Sequence, residues 1–444
     1  MYKIFVILLV CISAYALDYD NLALKQDFRK LDFSPGQKYH MGTINSKKSS
    51  SKNPHNIKYI FTPCLTNPET APFIFYSMGG PGCSAMGHSL LMNGPFNLNK
   101  NGFVKNPYAF NKFANYVMLE YPYGSGFSIN TGSYNKSYTH LKKLGRQKIR
   151  YTRLIVRFFR KFTKYNNSKI WLMGDSSTAD FFPWVMNYMK TLKSNRDVLD
   201  RLVGLINEAP LMSSARSIME NPNFYRLYHL ITKKQEEQIL KKFKNQIKNL
   251  KAKHILSFYH NFEVTVAKAA TFKRYPGKWT DYYDMATFIP DTATWSPKWL
   301  LIPGLRIFFQ TKQKLGMQPL NFNMKKIVKT YDLPTRDSKG RYIDHQPFNS
   351  ADQSANWEYF VKKNQTKILS KLLKNGYKYV AYFGELDACG SVIAFVKQLQ
   401  DALSKEEYAK FDQTKWQRLG RDTHMKIYKN IWFANLGQYP HLLG

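Results

Sequence analysis

Cysteine is scarce in this chain: only four occur in 444 residues, at positions 11, 64, 83 and 389. Cys11 lies in an N-terminal apolar run, so Cys64, Cys83 and Cys389 remain beyond it and at most one intramolecular disulfide can form among them. That excludes a disulfide scaffold. No CxxC, HExxH or clustered His/Cys spacing appears, so neither a metal nor an organic cofactor is expected. Acidic residues are also few, 30 against 66 basic ones, leaving a net charge of +36. The basic residues are spread along the chain, with Lys outnumbering Arg about three to one. This reads as compositional bias, so nucleic acid is not an expected partner, while attraction to acidic surfaces or substrates stays open. After the first 16 residues no stretch is long and apolar enough to cross a bilayer, so no transmembrane segment is expected.

What is present at the start is a leader pattern. Lys3 precedes an apolar run from Ile4 to Ile12, and Ala14-Tyr15-Ala16 gives the small-x-small sequence of a cleavage site. A membrane anchor would need roughly 20 apolar residues. Residues 1–16 are therefore expected to be a signal peptide, with a mature chain from about Leu17 bound for the extracellular space or a lysosome or vacuole. Sequons begin at Asn135, Asn166 and Asn364, as a secreted glycoprotein would carry.

Hydrophobic patterning then divides the chain. Residues 56–63, 72–78 and 116–122 read as apolar strands, with the hydrophilic segment 46–55 as a hairpin loop before the first. From about 138 to 165 apolar residues recur at helical spacing among basic ones. Residues 169–189 read as a strand, a sharp turn at Gly174 and a helix, and 202–210 as another buried strand. Strands alternating with helices predict an α/β fold with a mainly parallel sheet. Between 211 and 330 the pattern is helical without a clear strand, which predicts a helical insertion. Strand signals return at 375–387 and 428–437. The expected division is a core in two parts, 17–210 and 331–444, interrupted by a lid at 211–330.

Ser176 follows Gly174-Asp175 where that strand becomes a helix. A tight turn there projects Oγ from the backbone, and the helix N-terminus favours developing negative charge. The same position also suits a simple helix N-cap.

Five segments together resemble the serine carboxypeptidase family. They are FIFYSMGGPGCSAMG at 73–87, NPYAFNKFANYVMLEYPYGSGFS at 106–128, WLMGDSSTADFFP at 171–183, YFGELDACG at 382–390 and NIWFANLGQYPHLLG at 430–444. The resemblance implies an α/β-hydrolase fold, a mainly parallel sheet flanked by helices with a helical lid. It also implies Ser176 as nucleophile, Asp387 as orienting acid and His441 as general base, in the chain order of that fold. His424 is a competing base. The N–H groups of Gly80 and Ser177 would form the oxyanion hole.

Around the site the chain departs from the family pattern. Where the family holds a substrate carboxylate with an Asn and two Glu, beside the loop containing Gly79, this chain has Met78, Met92 and Asp175. Methionine offers neither an amide donor nor a protonatable oxygen. Ala179 stands where the family has Gly, and Ser177 where it has Tyr. The expected function is a secreted or lysosomal/vacuolar serine carboxypeptidase-like peptidase working through an acyl-enzyme on peptide or protein substrates. A homodimer is left open. An inactive pseudoenzyme with a binding role, and an esterase or acyltransferase on the same triad, are the alternatives.

Overall fold

A computed structural model describes residues 39–47, 55–79, 93–99, 102–123, 144–210, 219–248, 365–420 and 422–437, with isolated positions and short stretches between 85 and 290. The expected leader, Gly80, Cys83, Met92, His441 and the sequons at Asn135 and Asn364 lie outside them.

In chain order the strands of the main sheet begin with β1 (His40–Asn45), β2 (Asn56–Thr62), β3 (Phe73–Ser77) and β6 (Asn115–Leu119). A small hairpin, β4 (Phe96–Asn99) with β5 (Gly102–Lys105), separates the last two. Helix α1 (Leu144–Lys161) leads to β7 (Ile170–Asp175), α2 (Ser176–Thr191) and β8 (Leu202–Glu208). Helices α3 (Asn221–Leu227) and α4 (Lys233–Lys248) follow, then the short antiparallel pair β9 (Lys278–Thr280) and β10 (Phe288–Pro290). The chain returns through α5 (Gln365–Lys374), β11 (Lys378–Gly384), α6 (Val392–Ala402), α7 (Lys405–Gln413), β12 (Gln417–Arg418), β13 (Thr423–Tyr428) and β14 (Ile431–Leu436).

The ten-stranded sheet runs β1-β2-β6-β3-β7-β8-β11-β14-β13-β12. From β6 to β14 every neighbouring pair is parallel, and the flanking pairs are antiparallel. This is the mainly parallel sheet that the alternating pattern predicts. Its central strands are buried on both faces, which explains their near-continuous apolar sequences.

One face packs against helices. Phe73, Phe75, Leu172, Leu205, Ala381 and Phe433 form a continuous core with Phe158 and Phe159 of α1, Phe182 and Met186 of α2, and Phe395 of α6. The rings of Phe73 and Phe75 each meet that of Phe158 edge-on, at 5.7 and 5.2 Å, a geometry aromatic quadrupoles favour. A second core joins Phe224, Ile239, Phe243, Phe258 and Phe262 to Ala388 and Cys389, so helices of the 211–330 region rest beside the end of β11. One sequence reading is corrected here. The 211–330 region contains the strands β9 and β10, too short to give a periodic signal. Cys64 carries a free, buried thiol near Thr66 Oγ1, so no disulfide involves it.

Candidate active site

Parallel strands bring their C-terminal ends to one edge of the sheet, and the residues singled out by sequence follow those ends. Ser176 comes directly after β7 and Asp387 three residues after β11, with only β8 between the two strands. His441 lies outside the described residues; β14, which precedes it, ends on the same edge at Leu436.

Ser176 has φ +49°, in the left-handed region that a residue with a Cβ seldom occupies. Such a conformation costs of order 1–3 kcal/mol and persists only where its surroundings enforce it. Here two glycines do so. A Cβ on Gly79 would lie 2.6 Å from the Asp175 carbonyl oxygen, 2.7 Å from Ser176 Cβ and 3.1 Å from the Ser177 nitrogen. The end of the β3 loop is thus pressed against the turn. A Cβ on Gly174 would lie 2.7 Å from the Ala179 nitrogen and 2.8 Å from the Thr178 carbonyl carbon. The missing side chain at Gly174 makes room for Ala179, which is fully buried where the family has glycine. Thr178 Oγ1 ties the turn to β3 by donating to the Met78 carbonyl at 2.5 Å.

Helix α2 contains Pro183, which has no N–H for the carbonyl of Ala179 four residues earlier. Asn207 of β8 fills that role: its Nδ2 donates to Ala179 O at 3.2 Å and to Tyr379 Oη at 3.0 Å.

Asp387 is fully buried, and its Oδ1 accepts the Gly390 N–H at 2.8 Å. A Cβ on Gly390 would lie 2.9 Å from Asp387 Oδ2 and 2.6 Å from the Ala209 carbonyl oxygen, so Gly390 fits closely between the carboxyl and the residue after β8. His424 stands exposed on β13.

Of Met78, Met92 and Asp175, only Asp175 carries a carboxylate. In the sheet Asp175 of β7 is the register partner of Glu208 of β8, and Glu208 is in turn the partner of Tyr382 on β11. Tyr382 Oη donates to Glu208 Oε2 at 3.1 Å, and both carboxylates are buried. Tyr76 Oη donates to the sulfur of Met78 at 3.2 Å. Burial, and then the neighbouring carboxylates, push the Tyr76 and Tyr382 phenols far above their ordinary range, Tyr76 through Asp175 and Glu208 and Tyr382 chiefly through Glu208. They therefore stay protonated and act as donors. Glu208 and Asn207 were missed because residues 202–210 read simply as a buried strand, and Tyr382 because it lies inside the strand signal at 375–387. An ionisable residue ending such an apolar run was the available signal.

Sharp strand-to-helix turns on a mainly parallel, helix-flanked sheet are the mark of an α/β-hydrolase. The sequence profile of serine carboxypeptidases matches residues 30–441. Arabidopsis thaliana serine carboxypeptidase-like 45 is 28% identical over 191 residues, 43% of this chain and 40% of that protein. The venom serine carboxypeptidase of Apis mellifera is 29% identical over 211 residues, 47% of this chain and 42% of its own. These alignments span less than half the length of either relative. Among solved structures, Kex1(delta)p, a prohormone-processing carboxypeptidase from Saccharomyces cerevisiae, superposes with a TM-score of 0.69 over 92% of this chain and 88% of its own. At 16% identity that likeness concerns the fold. The chain belongs to the serine carboxypeptidase family.

Proposed function

We propose that this chain is a serine-type, carboxypeptidase-like hydrolase that cleaves peptides through an acyl-enzyme on Ser176. The observation that carries the reading is the left-handed backbone of Ser176 at the β7–α2 turn, held by Gly79 and Gly174. A serine used only as a helix cap has no need of that strain.

In the proposed reaction His441 accepts the Ser176 Oγ proton as Oγ bonds to the scissile carbonyl carbon. The carbonyl oxygen becomes an oxyanion facing the N–H groups of Gly80 and Ser177. Collapse breaks the C–N bond, and His441 returns the proton to the leaving amine. Water then attacks the ester by the same route. Asp387, anchored by the Gly390 N–H, orients His441 and stabilises its charged form. Met78, Gly79 and Asp175 are assigned to the substrate side, as the family resemblance also assigns Met92, which lies outside the described residues. A secreted or lysosomal/vacuolar setting agrees with the leader pattern and with the exposed Asn166 of the second sequon.

Labelling with a fluorophosphonate probe tests the nucleophile: the wild-type protein is expected to react and Ser176→Ala to remain unlabelled. Equal labelling of both, or of neither across acid to neutral pH, rejects the reading. Met78, with its sulfur occupied by the Tyr76 hydroxyl, favours substrates without a free carboxylate as a second reading. Faster cleavage of C-terminally amidated peptides than of free acids would select it.

A further inference from the structure

The N-terminal half of α1 buries a positive charge among positive charges. Arg150 is only 7% exposed, and its Nη1 is sealed from solvent with no hydrogen-bond partner. One turn earlier on the same face, Gln147 is 4% exposed and its Nε2 is equally without a partner. The other end of that amide is fixed, since Tyr121 Oη donates to Gln147 Oε1 at 2.5 Å and also reaches the Gln147 carbonyl at 2.9 Å. Among the described residues, two donors are therefore held beside Tyr121 with nothing to donate to.

The charged groups acting on Arg150 among the described residues are Arg146 and Arg153 from α1, and Arg150 itself acts on Lys47 beyond the end of β1. Burial, then these like charges, depresses both Arg150 and Lys47 below their ordinary values. Tyr121 does not balance them, because burial pushes its phenol upward and keeps it neutral. Nor does the local sequence supply an anion: no Asp or Glu occurs between Glu120 and Asp175. A guanidinium taken out of water needs a counter-charge and acceptors for its donors.

We propose that Arg150 and Gln147, rimmed by Lys47, Arg146 and Arg153, form a binding site for a phosphate or sulfate group, separate from the Ser176 site. Arg150 supplies the charged fork that matches a tetrahedral oxyanion, Gln147 Nε2 a neutral donor, and the rim the attraction that brings the anion in. The group can be a soluble phosphate ester or a lipid head group, which share this chemistry.

The full-length protein is titrated with inorganic phosphate against chloride at constant ionic strength, following thermal melting and calorimetric heat. Wild type is expected to show saturable binding and a rising melting temperature. Arg150→Met is expected to lose at least about tenfold in phosphate affinity, while melting in chloride no lower than wild type, since it no longer buries an uncompensated charge. Fluorophosphonate labelling of Ser176 should be unchanged in that variant. Should Arg150→Met fail to fold, the rim pair Lys47→Gln and Arg146→Gln is expected to weaken phosphate binding several-fold in a folded protein. Sedimentation with phosphatidic acid vesicles but not phosphatidylcholine vesicles assigns the group to a lipid; phosphate binding without vesicle binding assigns it to a soluble ester. No saturable phosphate binding by wild type, or wild-type affinity in the variants, overturns the proposal.

Discussion

A serine held at φ +49° depends on what its neighbours leave out, and Gly174 is a neighbour hemmed in by backbone alone. The atoms a methyl there would strike belong to the backbone of Thr178 and Ala179, so relief requires shifting the first turn of α2. Gly174→Ala is expected to cost about 1–3 kcal/mol in unfolding free energy. It should also slow fluorophosphonate labelling of Ser176 by more than tenfold, because small displacements of a nucleophile forfeit much of its proximity advantage. Labelling kinetics at wild-type rate would refute this account of the turn. Tyr382 offers a second test. Tyr382→Phe removes the hydroxyl bound to Glu208 Oε2 and is expected to lower stability by about 1–3 kcal/mol in urea titration. A neutral outcome would show that Glu208 draws no support from that phenol.

Helix α2 starts at the candidate nucleophile and is interrupted by Pro183, so its integrity rests partly on a strand. Asn207→Leu should leave the Ala179 carbonyl without a donor and destabilise by about 1–3 kcal/mol. Pro183→Ala restores the N–H that the helix lacks. In the double variant the cost of losing Asn207 should therefore shrink, and a double-mutant cycle of chemical denaturation measures the difference. Additive effects would separate the two residues. Element by element, the sequence was most readable where one physical demand dominated. FIFYS and NYVML are buried on both faces, and LGRQKIRYTRLIVRFFRK has one apolar stripe among cations, so strand and helix signals were unambiguous. The short β9 and β10 span less than a pattern, and the mostly polar KEEYAKFDQ of α7 has a single buried anchor, Phe411. Ser176 was singled out by the strand-to-helix turn and Asp387 by the family resemblance, and each follows the end of a strand. Glu208 was not, since its role comes from lying across from Asp175, and register between strands is not written in either strand alone.

Across the molecule, buried phenols tie stability to pH. Tyr76, Tyr116, Tyr121, Tyr151, Tyr379 and Tyr382 are all raised, first by burial. A group whose folded value is raised contributes fully below its unfolded value, near 10 for a phenol, and that contribution is lost as pH climbs beyond it. The unfolded chain ionises these tyrosines while the native one resists. The melting temperature is expected to fall steeply between about pH 9 and 11, with tyrosinate absorbance appearing together with loss of structure. A flat melting profile over that range, or tyrosinate forming in the folded protein, would contradict it.

The order of strands also has a temporal side. β8 lies in the middle of the sheet, yet its second neighbour is β11, so Gly204 waits for Lys378 to be made before its pair exists. During synthesis the first half of the sheet ends on an apolar, unpaired edge for the time needed to translate the intervening chain. Pairings this distant in sequence make folding slow and leave such edges open to association with other chains. A fragment ending before β11 should accumulate as aggregate, and the whole chain should refold more slowly than domains built from local contacts.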